Sequence, residues 1–180
     1  LLGFGYRSLI VAPPAGKAAE MLAEAQARFE AETPDFTLAL EGDANGAGFL
    51  DVIEQYGSTP SGNLAKHYAG ICYLRTGDLA NAAAYLAKYK PVKGLPGAIV
   101  NAQNYGLQGD VAVEQQNYAQ AVSFYKKAVE AADNNWTAPM YLRKAGLAEQ
   151  AQGNNAAAAA LYERIINSYP ASVEAREAEK

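Results

Sequence analysis

A glycine and an alanine recur together three times along this chain, and their spacing constrains the fold more than any other feature. The glycines are 39 and 37 residues apart, and the alanines repeat both intervals: Gly70, Gly109 and Gly146, then Ala82, Ala121 and Ala158. Internal repeats with a period of 20–50 residues are typical of stacked repeat architectures. The spacing therefore predicts an array of similar units rather than one irregular core.

The first clear copy, residues 63–89, reads as two antiparallel helices. Five residues at helical spacing form its first apolar stripe: Ala65, Tyr68, Ala69, Cys72 and Tyr73. Gly70 interrupts this stripe, and a glycine inside a helix costs about 1 kcal/mol relative to alanine. We therefore expect a close approach of the second helix there, with Ala82 opposite. Gly77 is predicted to end the first helix, and Asp78 to cap the second.

The three copies resemble the tetratricopeptide repeat (TPR) family, a helix-turn-helix unit of about 34 residues. The recurring glycines and alanines occupy the small positions of the two helices in that pattern, and Pro170 occupies the closing proline. Gln116 replaces the turn glycine of the second copy. The resemblance implies an all-α, right-handed α-α superhelix of about four TPR-like helix pairs, ended by a C-terminal capping helix.

The predicted organisation is an N-terminal arm followed by one TPR domain. The arm covers residues 1–14 and the domain 15–180, with units at 17–57, 61–90, 96–132 and 137–169 and a cap at 171–180. The first unit is expected to be degenerate, with a long internal loop before a short helix at 47–56. The later helices are predicted at 96–115, 118–132, 138–152 and 156–168.

Composition excludes several classes of function. The net charge is −4 and no basic cluster occurs, which argues against a nucleic-acid partner. No phosphate-binding loop, serine-hydrolase elbow or zinc-protease motif is present, so neither an enzyme nor a cofactor is predicted. His67 and Cys72 are five residues apart, about 140° around a helix, so they cannot form a nucleophile pair. Cys72 is expected to be buried and inert.

The first 14 residues are apolar but too short to span a bilayer, which takes about 20 residues. They are read either as the outer end of a membrane anchor that begins upstream of Leu1, or as an arm that packs on a domain. The resemblance extends to bacterial TPR proteins anchored in the inner membrane and facing the periplasm, which implies an accessory role in protein export or with envelope chaperones. A rival hypothesis is a self-assembling structural protein that uses the arm; the oligomeric state stays open.

The resemblance implies that the ligand is a protein or peptide segment, bound in a concave groove lined by the first helix of each unit. Arg143 and Lys144 are expected to favour an acidic segment, and Asp110 and Glu114 to oppose it. The candidate groove residues on successive first helices are His67, Tyr68, Ile71, Arg75, Gln103, Leu107, Asp110, Glu114, Arg143, Lys144 and Leu147.

One stretch offers a weak metal-site alternative, a calcium-stabilised domain. Residues 43–54 nearly fit the EF-hand loop, with four oxygen-bearing residues at loop positions 1, 3, 9 and 12: Asp43, Asn45, Asp51 and Glu54. Ala47 stands at position 5, where a side-chain oxygen is required. The competing interpretation is that Asp43 or Asn45 caps the short helix.

Overall fold

The computed structural model describes residues 2–178, with side chains described from residue 16 onward. These residues form helices and one short hairpin, which confirms the all-α repeat fold. The elements are α1 (Leu2–Phe29), α2 (Phe36–Glu41), β1 (Gly42–Asp43), β2 (Gly46–Ala47), α3 (Phe49–Tyr56), α4 (Pro60–Arg75), α5 (Leu79–Lys88), α6 (Leu95–Glu114), α7 (Tyr118–Ala131), α8 (Thr137–Ala151), α9 (Asn155–Ser168) and α10 (Val173–Ala178). They group into two compact halves, Leu1–Lys90 and Pro91–Lys180.

The later helices lie where the repeat phase predicts them. The four helices from α6 to α9 begin and end within one residue of their predicted bounds. Helix α10 occupies the predicted cap, and the N–H of Ala175 donates to Ser172 Oγ at 3.1 Å. The side chains of the arm at residues 1–14, and residues 179–180 of the cap, lie outside the described residues. The backbone from Leu2 continues into α1 without a break.

In the N-terminal half, α1 packs on α2, α3 and α4 around an apolar core. Its buried members are Met21, Leu22, Ala25, Ala39, Leu40, Phe49, Val52, Ala65, Ala69 and Cys72. The sequence predicts a loop between α1 and α3, and this prediction is wrong. Asp35 caps a six-residue helix, α2, by accepting a hydrogen bond from the N–H of Leu38 at 2.9 Å, and the hairpin β1–β2 follows.

The hairpin is fixed to α1 by two side chains. Arg28 donates to Asp43 Oδ1 at 2.7 Å and to the carbonyl oxygen of Gly46 at 3.1 Å. Glu24 accepts a hydrogen bond from the N–H of Ala47 at 3.0 Å. These two side chains therefore join α1 to the hairpin.

Each recurring glycine lies against a large side chain of the second helix of its pair, and not against the alanine that the sequence predicted. A Cβ added at Gly70 would lie 2.5 Å from Leu86 Cγ, and one at Gly109 would lie 2.5 Å from Tyr125 Cε1. At Gly146 the same atom would lie 2.5 Å from Tyr162 Cε1. Each partner follows its glycine by sixteen positions on the second helix of the pair. We call this contact the glycine slot.

The turns between paired helices share a left-handed residue. Gly77 has φ 85° and Gly153 has φ 78°, and Gln116 takes the equivalent place with φ 59°. The intervals 77 to 116 and 116 to 153 are again 39 and 37 residues. The left-handed conformation therefore recurs at the same position of each repeat, even where glutamine replaces glycine.

Candidate protein-interaction surface

An apolar cleft opens in the C-terminal half among α6, α7 and α8. Its volume is about 360 Å³, and its lining consists of Val113, Tyr118, Tyr125, Lys144, Leu147, Ala148 and Ala151. Leu147 is half exposed, 51%, so part of an apolar side chain is open to solvent here. A concave apolar site with few polar groups is the usual form of a binding site.

One carboxylate ties the three helices together beside the cleft. Asp110 Oδ1 accepts from the Tyr125 hydroxyl at 2.7 Å, and Lys144 Nζ donates to Oδ1 and Oδ2 of Asp110 at 2.8 and 3.1 Å. Burial, followed by the hydrogen bond to Asp110, raises the pKa of Tyr125 far above its usual value. Tyr125 is therefore neutral at physiological pH and acts as a donor.

The charges of the predicted groove are compensated within the chain. Lys144 was expected to attract an acidic segment and Asp110 to repel it, but these two residues neutralise each other. The Arg143 guanidinium lies 3.6 Å from the Glu177 carboxylate, and both side chains are half exposed. An ion pair this exposed contributes little to stability. Lys144 therefore presents a local ion pair and not an isolated cation, and the expected preference for an acidic segment stays a prediction.

Three further candidate residues of the C-terminal half lie on α6. Gln103 and Glu114 are exposed, and Leu107 is half buried. Sequence reasoning missed Val113, Tyr118 and Tyr125 as cleft residues. It sought groove residues on the first helix of each pair, and both tyrosines lie on α7, the second helix. The available signal was tyrosine in place of leucine in the glycine slot, since a buried tyrosine needs a partner for its hydroxyl.

In the N-terminal half, two candidates are buried and cannot line an open surface. His67 is 2% exposed, and its ring lies 5.6 Å from that of Tyr89 and 5.7 Å from that of Tyr68. Ile71 is 7% exposed and follows one turn later on the same side of α4. The expectation that both face the groove is wrong, because an apolar and aromatic environment encloses this side of the helix.

Tyr68 and Arg75 are engaged with aromatic rings. Tyr68 stacks on Phe49 at 5.1 Å and meets the edge of Phe29 at 5.1 Å. The Arg75 guanidinium lies 6.0 Å from the ring centre of Phe36, within the range of a cation–π contact. These residues stabilise the packing of α4 on the preceding helices.

The candidate calcium ligands are used for other contacts. Asp43 is bound to Arg28, and its Oδ1 also accepts from the Asn45 N–H at 2.9 Å. Hydrogen bonding from Asn45, aided by the Arg28 charge, lowers the pKa of Asp43. Asp51 Oδ2 accepts from the N–H of Gly48 at 2.8 Å and so caps α3. Among the described residues, no three His, Cys, Asp or Glu side chains are grouped to hold a metal ion.

Cys72 lies in the core of the N-terminal half, as predicted. Burial raises the pKa of its thiol to about 12. The thiolate is the reactive form of cysteine, so this thiol is inert at physiological pH.

Comparison with known proteins agrees with this architecture. Residues 102–135 and residues 141–172 each match a tetratricopeptide repeat model. A crystal structure of MamA superposes with a TM-score of 0.57 at 19% identity, over 79% of this chain and 78% of that one. A second MamA crystal structure gives 0.61 at 13% identity, over 90% and 78%. The chain matches none of the curated protein sequences compared with it.

These matches define the class of protein. Residues 102–135 and 141–172 are similar to tetratricopeptide repeats, and the likeness to MamA is one of fold. Stacked helical repeats present extended surfaces for binding other proteins. The architecture is therefore that of a helical repeat array.

Proposed function

We propose that this chain is a protein-interaction scaffold whose C-terminal half binds a segment of a partner protein. The observation that carries the proposal is the apolar cleft among α6, α7 and α8, which is open at Leu147. Its volume of about 360 Å³ fits one or two apolar side chains of an extended or helical segment.

The contacts around the cleft suggest how the segment is held. Tyr118 and Leu147 offer an aromatic and an aliphatic side chain in front of the buried Tyr125, and tyrosine is a frequent anchor of interfaces. The Asp110–Lys144 pair fixes the angle of α8 against α6 and leaves no strong net charge beside these side chains. The segment then continues along α6 past Leu107, Gln103 and Glu114, with Arg143 on the next first helix.

A matched pair of charge substitutions tests the cleft. Leu147→Asp places a carboxylate at its mouth, whereas Ser123→Asp adds the same charge at an exposed position of α7 that does not line it. Captured from a bacterial envelope extract, the partner of the wild type is expected to be lost with Leu147→Asp and kept with Ser123→Asp. Circular dichroism checks that both variants fold.

Recovery of the same partner in equal amount by both variants would overturn the proposed binding surface. A photo-reactive amino acid at position 147 sharpens the test, with position 123 as control. A cross-link to the same partner at position 147 alone supports the cleft. Equal cross-linking at both positions contradicts it.

We also propose that the scaffold works in the bacterial envelope, held in the inner membrane from a segment upstream of Leu1 and facing the periplasm. The support is the family resemblance and the apolar sequence of residues 1–14. Among the helices of residues 2–178, none combines the length and the apolar character needed to cross a membrane. The genomic sequence upstream of Leu1 tests this: an apolar run that completes about 20 residues supports it, and a charged leader contradicts it.

A further inference from the structure

Three lysines come together in the N-terminal half, around the C-terminal ends of α3 and α5 and the second turn of α4. The Lys66 ammonium donates to the carbonyl oxygen of Gly57, directly after α3, at 2.7 Å. Burial, followed by the positive charges of Lys90 and Lys88, lowers the pKa of Lys66, so all three ammonium groups act on one another. We call Lys66, Lys88 and Lys90 the lysine cluster.

The backbone on either side of Tyr89 carries two lysines of the cluster and is fixed against α4 by two contacts. Tyr89 is 6% exposed, and its ring lies 5.6 Å from the ring of His67. The Asn63 side chain accepts from the N–H of Lys90 and donates to its carbonyl oxygen, both at 2.8 Å. The fold therefore holds this segment in place beside α4.

The cluster has no acidic partner among the described residues. None of the ion pairs found there includes its three ammonium groups, and the charges that act on Lys66 are both positive. The Lys88 ammonium lies 4.2 Å from the ring centre of Tyr85, a cation–π contact that does not neutralise its charge. Like charges held together destabilise the compact state, and a bound anion would remove that repulsion.

The sequence shows no basic cluster because these lysines are not consecutive. Lys66 precedes Lys88 by 22 positions and Lys90 by 24, and the packing of α5 on α4 brings them together. None of the three belongs to the predicted groove, and the cleft lies in the other half of the chain. The lysine cluster is therefore a second, separate candidate surface.

We propose that an acidic segment of a partner protein docks on the lysine cluster, with its carboxylates between the three ammonium groups. Lys66 uses one of its three N–H donors on Gly57 and keeps two for a carboxylate. Lys88 and Lys90 are exposed and can reach the same ligand. Because their backbone is already fixed, little conformational entropy is lost there on binding.

A short segment fits the cluster better than an extended anionic surface does. The whole chain carries a net charge of −4, so a membrane or a nucleic acid that also faced the rest of the chain would be repelled. An acidic segment contacts the cluster alone, where the charges are complementary.

A fluorescently labelled peptide of alternating glutamate and glycine is the probe, and the same peptide with glutamine for glutamate is its control. In fluorescence anisotropy at about 20 mM salt, the wild type is expected to bind the glutamate peptide with a Kd below about 1 mM and to leave the glutamine peptide unbound. Binding should weaken as the salt concentration rises to about 200 mM, because salt screens the charges.

Two triple variants of equal net charge show whether the cluster is the binding surface. The cluster variant carries three substitutions: Lys66→Gln, Lys88→Gln and Lys90→Gln. The control variant removes three exposed lysines outside the cluster: Lys17→Gln, Lys126→Gln and Lys127→Gln. The cluster variant should bind the glutamate peptide at least about tenfold more weakly than the wild type, and the control variant within about twofold of it. Circular dichroism checks that both variants fold.

Three outcomes would overturn the proposal. The first is a wild type that does not bind the glutamate peptide up to about 1 mM. The second is equal weakening in both variants, because the overall charge and not the cluster would then attract the peptide. The third is binding to phosphatidylglycerol vesicles that the cluster variant alone loses, without binding of the peptide, which would assign the cluster to an anionic membrane.

Discussion

The two halves use the same glycine slot with different partners. In the N-terminal half the slot of Gly70 is filled by Leu86, a fully buried side chain without polar atoms. In the C-terminal half the slot of Gly109 is filled by Tyr125, whose hydroxyl reaches Asp110 and, through that carboxylate, Lys144 of the next helix. The glycine sets where the large side chain lies, and the hydroxyl of Tyr125 adds a polar contact that continues through Asp110 to α8.

The largest effect is expected from filling the slot of the C-terminal half. Gly109→Val places a branched side chain against the Tyr125 ring, whose hydroxyl is held by Asp110. We expect a loss of about 3 kcal/mol in the free energy of unfolding, the upper end for overpacking. Urea unfolding measures it, and faster hydrogen exchange should centre on Ala121 and its neighbours in α7.

Two further glycines control this experiment. Gly146→Val faces Tyr162, a half-buried ring that can swing toward solvent, so its cost should be smaller. Gly16→Val has no atoms within 4 Å of the added Cβ and should cost little. Unchanged exchange near Ala121 in the Gly109 variant would contradict the assignment of the slot.

A smaller effect is expected in the N-terminal half, where the hairpin depends on Arg28. Arg28→Ala leaves Asp43 and the Gly46 carbonyl without their charged donor and should cost about 2–3 kcal/mol. The amide of Ala47 should exchange faster, because the hairpin separates from α1. Lys17→Ala, which removes an exposed ion pair with Glu20, is the control. Equal unfolding curves for the two variants would show that Arg28 does not hold the hairpin.

Alkaline pH should weaken the C-terminal half through two tyrosines. Burial raises the pKa of Tyr141 to about 12, and burial and Asp110 raise that of Tyr125. A raised pKa in the folded state means that its stabilising effect is complete below the ordinary value of 10.0 and is lost as the pH rises above it. At pH 11 each tyrosine should cost about 1 kcal/mol.

Unfolding at pH 8 and pH 11 measures this loss. Tyr125→Phe and Tyr141→Phe together should make the unfolding free energy less dependent on pH, relative to Tyr118→Phe on a half-buried tyrosine of α7. A double variant with the pH dependence of the wild type would show that these hydroxyls do not couple to stability.

The repeat phase was readable from the sequence because glycine, alanine and the turn residues recur at fixed intervals. The bounds of the helices from α6 to α9 follow from it. Helix α2 could not be predicted from periodicity, since six residues are too few to show a periodic pattern. Asp35, which follows Thr33-Pro34, did indicate a helix N-terminus.

The interaction surface was less predictable than the fold. Family resemblance placed His67 and Ile71 in the groove, but the rings of Tyr68 and Tyr89 enclose His67, and that contact joins residues 22 positions apart. Likewise, the pairing of Lys144 with Asp110 connects two helices at a distance of 34 residues. Side-chain pairs of this kind depend on tertiary packing, which no local pattern encodes.

The left-handed turn at Gln116 has a consequence for the unfolded chain. A residue with a side chain pays about 1–2 kcal/mol to adopt this conformation, which favours glycine. In the unfolded state, however, glutamine samples fewer backbone conformations than glycine, which returns about 0.4–1 kcal/mol of conformational entropy on folding. The second term offsets about half of the first, so replacing the turn glycine by glutamine costs the repeat roughly 1 kcal/mol of net stability.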